Sequence, residues 1–383
     1  MQLVKGFCDF FGEKAIRREK IKEIIKEKFK TYGFEPAETP VIEYEEFAKK
    51  DQAEETISDI FRLEDKGKRK LALRYEFTFQ LKRLAKGKKL PYRRYQIGYV
   101  FRDEPTGKNR LRQFTQCDID IVGSSIRDEA EILKVFSEIL QELKIKSYVK
   151  VNNRKLLNEI LNKEGIKGEN ISKVIREIDK LEKIPLEEIK KNLEKLGAEK
   201  ILKIIKKPKT FFKKYDSFEE VEELLNYCKI FNVKAKFFPS MARGLAYYTG
   251  NIFEIQAKGV KESIAGGGTY LIDGIQSTGI SFGLERLEPL AKINIENIKC
   301  IVISVGKEKE AINIMQKLRK EKISCFMMDK LTKALEYANT KKIPYVLFIG
   351  TEEVKKNKVK MRDMNTGKET FFTLEELIKI LKS

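Results

Sequence analysis

From residue 300 onward the chain alternates in kind: CIVISV (300–305), a helical stretch at 307–321, a second apolar strand at 323–328, a helical stretch at 331–342 and a third strand at 344–349. Short apolar runs parted by helices read as β-α-β units, because neighbouring parallel strands need a crossover and a helix supplies it. Residues 297–383 are therefore expected to form a separate α/β domain on a parallel sheet.

Upstream the pattern changes twice. Residues 12–31 place Ile16, Ile21, Ile24, Ile25 and Phe29 at helical spacing among Lys, Arg and Glu, with Gly33 where a helix C-terminus belongs. Pro36 and Pro40 keep 34–42 extended. LALRYEFT (71–78), YRRYQIGYVFR (92–102) and QFTQCDIDIVG (113–123) read as strands. In the last, Cys117, Ile119 and Ile121 alternate with Gln116, Asp118 and Asp120, which gives one apolar and one polar face. A helix follows at 127–143. Residues 151–235 are charge-rich and mostly helical, like an insertion packed beside a sheet domain. Strand signal returns in NIFEIQA (251–257) and in GISFGLERL (279–287), the latter running from strand into helix. The sheet domain thus comes in two parts, 1–150 and 236–296, around an insertion at 151–235.

Composition narrows the chemistry. None of the 383 residues is histidine or tryptophan. That excludes imidazole-dependent nucleophile activation and histidine-containing zinc sites. Lys and Arg number 78 against 58 Asp and Glu, a net charge of +20, which points to a polyanionic partner, most often nucleic acid. A Lys/Glu-rich surface serving solubility or heat tolerance is the other reading. The excess is spread over 151–235 and 297–383 rather than gathered in one tail. Cys8, Cys117, Cys228, Cys300 and Cys325 form no CxxC pair, as expected of reduced thiols. Lys5 and Asp9 interrupt the only short apolar stretch at the start, and no apolar run reaches membrane-spanning length, so a soluble cytoplasmic protein is expected.

Three constellations carry candidate chemistry. In FRDEPTGKNRLRQF (101–114), Arg102 leaves one strand and Arg110 and Arg112 enter the next around a turn of Pro105, Thr106, Gly107 and Asn109. Guanidinium forks match phosphate oxygens and stay charged, so the loop reads as a polyphosphate clamp or, equally, as a solvated basic turn. Glu76, Thr78, Gln116 and Asp120 are polar strand residues, either solvent-facing or lining a concave face for an amine-bearing ligand. In ARGLAYYTGNIFE (242–254), Arg243, Tyr247 and Tyr248 lie between Gly244 and Gly250 and read as a pocket wall or as core. Arg286 in GLERL is by itself a surface-type helical arginine.

Together these residues resemble the class II aminoacyl-tRNA synthetases, and within them the histidyl-tRNA synthetase family. Thr39-Pro40 resembles motif 1, FRDE…RLRQF motif 2, GLERL motif 3, and RGLAYYTG the histidine-specific signature, together covering nearly the whole chain. Ala246 stands where that signature carries an acid, and AGGGTYLIDG lacks the usual Gly-Arg-Tyr-Asp order around Gly266, Gly267 and Gly268. The resemblance implies an α+β catalytic domain, with an antiparallel sheet flanked by helices, a helical insertion over the tRNA acceptor arm and a C-terminal α/β anticodon-binding domain. It implies ATP with Mg2+ as cofactors, L-histidine and tRNA(His) as partners, and a homodimer formed through motif 1.

It also implies roles. Arg102 and Arg243 would flank the ATP α-phosphate as catalytic residues. Glu104 would lie beside adenine, Phe114 would stack on it, and Arg110 and Arg286 would hold the outer phosphates. Glu76, Phe77, Thr78, Gln116, Asp120, Arg243, Tyr247 and Tyr248 would bind histidine. A non-catalytic paralogue, such as the regulatory subunit of ATP phosphoribosyltransferase, is the alternative; it predicts lost ATP arginines and no anticodon domain, whereas Arg102, Arg110, Arg243 and Arg286 and the C-terminal unit are all present here.

Overall fold

The computed structural model describes residues 2–50, 54–107, 110–181, 184–243, 247–295 and 298–382. The chain divides into two compact units, Met1–Ile293 and Asn294–Ser383.

The first unit is built on an eight-stranded sheet. Its order is Glu35–Pro36, Tyr92–Phe101, Gln113–Val122, Ile275–Gly283, Ser263–Ile272, Tyr248–Ala257, Ser147–Asn153 and Ala235–Phe237. The six inner strands are antiparallel throughout, and each short edge strand joins parallel. One face is covered by helices. Gly12–Thr31 forms because Ile21, Ile25 and Phe29 recur on one side and bury completely. It ends where Gly33 takes a positive φ of 74° that a side chain resists. Ile126–Glu142 is started by a reciprocal cap in which the Ser125 backbone N–H and hydroxyl donate to Asp128. The helical stretch begins at Arg154, capped by Asn153, whose side chain accepts from the Lys155 and Leu156 N–H groups. Its apolar residues, among them Ile160, Val174, Leu193 and Phe212, join the same core as the sheet.

The 71–78 segment departs from expectation. Only Lys70–Leu73 is strand, in a small three-stranded sheet with Ile42–Tyr44 and Arg62–Glu64. Buried Arg74 donates to the Tyr99 and Thr39 carbonyls, both at 2.7 Å, and fixes the chain as it leaves that sheet. Glu76 then lies on a connection and Thr78 opens the helix Thr78–Ala85.

The second unit orders its strands Cys325–Met328, Cys300–Ser304, Tyr345–Ile349, Val359–Asp363 and Glu369–Phe372. The first three are parallel, as expected, and the last two are antiparallel. The sheet is therefore mixed, because the connections after Ile349 hold only the five-residue helix Thr351–Lys355 and a turn, too short for parallel crossovers. Cys300, Val302 and Leu347 pack one side and Ile301, Ile303 and Val346 the other, so both faces are covered.

Candidate active site

The face of the large sheet opposite the helices is concave and polar, and a cleft of about 220 Å3 opens there. Gln116, Asp118 and Asp120 project into it from one strand, so the polar face read from the alternation is buried rather than solvated. The cleft is also lined by Glu76, Thr78, Arg102, Glu104, Arg110, Phe114, Arg243, Tyr247, Tyr248 and Arg286. Of the expected site residues only Phe77 does not line it. Its side chain is fully buried, with the Arg74 guanidinium 4.9 Å from the ring centre. Gly244 and Ala246 of the signature, and Asn109 of the hairpin turn, lie outside the described residues.

At one end the arginines gather. Arg102 lies over Tyr75 and Phe114, 4.3 and 5.1 Å from their ring centres, and its Nη2 donates to Gln116 Oε1 at 3.5 Å. Arg110 donates through Nε to Glu104 at 2.7 Å and remains exposed at the mouth. Arg243 donates to Glu254 at 3.0 Å, and Arg286 Nη1 to the Ser263 carbonyl at 2.9 Å. Gly266 makes room for Arg243: a Cβ there would fall 1.8 Å from Nη1. Arg112 is not among the residues lining the cleft and pairs with Asp103 at 3.1 Å.

At the other end the carboxylates gather. Fully buried Arg94 pairs with Asp120 at 2.8 Å and donates to the Phe77 carbonyl at 3.1 Å. The Tyr270 hydroxyl donates to the second Asp120 oxygen. Asp120 occupies space that only glycine leaves open, since a Cβ on Gly279 would fall 2.1 Å from it. The Tyr247 hydroxyl donates to Glu76 at 3.3 Å. Burial pushes the Glu76 carboxyl up to about 7, with Arg102 countering and Asp118 adding to the rise. Burial and the neighbouring Asp120 raise Asp118 to about 7 as well, tempered by Arg94, Ser281 and Gln116.

Arg94, Asp118, Tyr270 and Glu285 are site residues that the sequence reading did not single out. Asp118 was visible as the middle of the polar triplet and Tyr270 as the aromatic after the glycine cluster. Arg94 and Glu285 gave no signal, because a strand arginine and a helix glutamate look like surface residues until their partners are known.

An inner antiparallel sheet of six strands, with arginines at one end of its concave face and a carboxylate-lined pocket at the other, defines a class II aminoacyl-tRNA synthetase. Residues 6–287 match the family model described as Histidyl-tRNA synthetase, and residues 299–383 the one described as Anticodon binding domain. The chain is 34% identical to Histidine--tRNA ligase 1 of Bacillus cereus, with 100% of this chain and 99% of that protein covered. It is 35% identical to Histidine--tRNA ligase of Clostridium tetani, covering 100% and 98%. A crystal structure of histidyl-tRNA synthetase from Nostoc sp. PCC 7120 superposes with a TM-score of 0.86 at 26% identity, covering 100% of this chain and 98% of that one. The chain belongs to the histidyl-tRNA synthetase family.

Proposed function

We propose that this chain activates L-histidine with ATP to histidyl-adenylate and transfers the histidyl group to the 3′ end of tRNA(His). The observation that carries the reading is the convergence, in one cleft, of Arg102, Arg110, Arg243 and Arg286 with a buried carboxylate pocket. Activation is attack by the histidine carboxylate, already a nucleophile at neutral pH, on the α-phosphorus, with pyrophosphate leaving. No protein base is required, which fits a chain without histidine. The task is in-line placement and neutralisation of charge as the phosphorus becomes five-coordinate. Arg102 and Arg243 serve at the α-phosphate, Arg110 and Arg286 at the outer phosphates, and Phe114 stacks on adenine beside Glu104. Arg110 exchanges its Glu104 partner for phosphate when nucleotide enters.

In the second step a terminal ribose hydroxyl of the tRNA attacks the acyl carbon and AMP leaves, a substrate phosphate oxygen taking the proton. Tyr247, Tyr248 and Asp120 line the imidazole end, where an analogue without the ring N–H leaves buried acceptors unpaired. Magnesium would neutralise phosphate charge. The described residues offer no cluster of three metal-binding side chains; this ion commonly rides on substrate phosphates with few protein ligands, and Glu104, a carboxylate in the cleft lining, would be one of them.

The Asn294–Ser383 unit reads the anticodon, and 151–235 reaches over the acceptor arm. Val41, Ile42 and Tyr44, 40–59% exposed just after Thr39-Pro40, supply an apolar surface for a homodimer. No helix among the described residues is long and apolar enough to cross a membrane, and Cys8, Cys117, Cys228, Cys300 and Cys325 are all free thiols, as in a cytoplasmic enzyme.

The test is exchange of labelled pyrophosphate into ATP with each of the twenty amino acids. Histidine alone should support it. Exchange with none would overturn the activity, and exchange with proline or threonine would overturn the specificity.

A further inference from the structure

The amino-acid end of the cleft holds three buried carboxylates, Glu76, Asp118 and Asp120, each 4% exposed. Their oxygens are not equally occupied. Asp120 faces the Tyr270 hydroxyl with one oxygen and the Arg94 guanidinium, at 2.8 Å, with the other. Glu76 accepts from Tyr247 through Oε2, and Asp118 accepts from Gln116 Nε2 through Oδ2 at 2.6 Å. Glu76 Oε1 and Asp118 Oδ1 are both buried and without a hydrogen-bond partner among the described residues; Asp120 Oδ2 also accepts no hydrogen bond, but it is ion-paired with Arg94.

Two unpartnered carboxylate oxygens facing one cavity are costly unless a donor arrives, because burial removes the water that would satisfy them. Both groups line the same cleft, where they can act on one ligand, and they repel, Asp118 adding to the raised pKa of Glu76. A cation with several N–H donors relieves both penalties. An imidazole offers at most two donors in opposite directions, whereas a primary ammonium offers three in a compact cone.

On the reading that the substrate is histidine, we propose that Asp118 is a further binding residue of the amino-acid pocket, which together with Glu76 receives the substrate α-ammonium and at the same time orients the Gln116 amide. The Gln116 amide is fixed by this arrangement: its Nε2 is held by Asp118, so its Oε1 faces Arg102. Asp120, whose charge is already paired with Arg94 and whose other oxygen accepts from Tyr270, is left to the other end of the ligand.

The test uses the full chain and three ligands measured by calorimetry: histidine, histamine, which keeps the ammonium and lacks the carboxylate, and imidazolepropionate, which lacks the ammonium. Asp118→Asn is isosteric and still accepts from Gln116, but it turns an NH2 toward the ammonium. It should weaken histidine and histamine by roughly 10- to 100-fold, the usual weight of a charge-assisted hydrogen bond. Imidazolepropionate should bind the variant as it binds the wild type. Should asparagine disturb the fold, Asp118→Ser, smaller and uncharged, is read by the same ligand pair. Equal weakening of imidazolepropionate would overturn the assignment, since Asp118 would then face the ring or serve structure alone. Wild-type protein binding none of the three would instead overturn the histidine reading itself.

Discussion

Arg18, on the first helix, donates to Glu285 at 2.8 Å with both side chains buried, and the same guanidinium nitrogen reaches the Thr115 hydroxyl at 3.0 Å. Glu285 also accepts the Thr115 backbone N–H. The bonds therefore join the first helix to the strand carrying Phe114 and Gln116 and to the turn of helix carrying Arg286. One buried ion pair thus ties together the two segments that carry the residues proposed to hold the nucleotide.

Arg18→Ala leaves Glu285 buried without its counter-charge. Removing one partner of such a pair costs about 3–5 kcal/mol. Urea denaturation should show that loss, and the KM for ATP should rise more than the KM for histidine. A variant within about 1 kcal/mol of wild type, with unchanged ATP kinetics, would show that the pair does not hold the site.

Gly266 is required by Arg243. Alanine there drives its Cβ into the guanidinium, whereas alanine at Gly283, also in the cleft wall, meets nothing within 4 Å and needs no unusual φ. Gly266→Ala should lower pyrophosphate exchange by roughly 100-fold or more, the scale of losing one preorganised charge-stabilising group. Gly283→Ala should stay within a few-fold in the same assay. Arg243→Ala should abolish exchange while tRNA binding, measured by filter retention, stays nearly intact.

Much of this site was legible because local rules and chemistry coincide. The first helix, the inner strands and the β-α-β unit follow their periodicities, since each buries the face its pattern marks. The strand read through 71–78 failed for a tertiary reason: Arg74 is held by the Thr39 and Tyr99 carbonyls, partners distant in sequence. The mixed second sheet followed from connection length rather than strand composition. Arg94 and Glu285 were illegible because a buried charge is recognised only by its partner, and both partners lie in other elements. Phe77, placed at the ligand by the family resemblance, turns into the core as the helix begins.

Buried carboxylates cost the unliganded protein stability. Asp118 is raised by burial and the neighbouring Asp120 to about 7, Glu76 by burial to about 7, and Glu129, buried among Thr269 and Asn251, by burial to about 8. A carboxyl whose folded pKa exceeds its unfolded value favours folding fully below the unfolded value, and that contribution is lost as pH rises through the folded one. Unliganded protein should therefore lose stability between about pH 4 and 8. Asp118→Asn removes one of the three titrations and should gain on wild type by up to about 1.4 kcal/mol for each pH unit in the window from about 4 to 7. Melting temperatures of both proteins across that range check it, and parallel curves would refute the prediction.

The two units have their own cores, and every residue lining the cleft belongs to the first. A chain ending at Ile293 keeps the sheet, the helices and all four arginines. It should exchange pyrophosphate with histidine within a few-fold of the full chain, because activation involves no tRNA. Charging of tRNA(His) should fall by roughly 100-fold or more, as the anticodon contacts and much of the positive field leave with the second unit. Raising salt should weaken tRNA charging by the full chain more steeply than by the shortened one, since fewer phosphate contacts mean a shallower salt dependence. Loss of exchange in a shortened chain that still unfolds cooperatively would show that the second unit serves the activation chemistry itself.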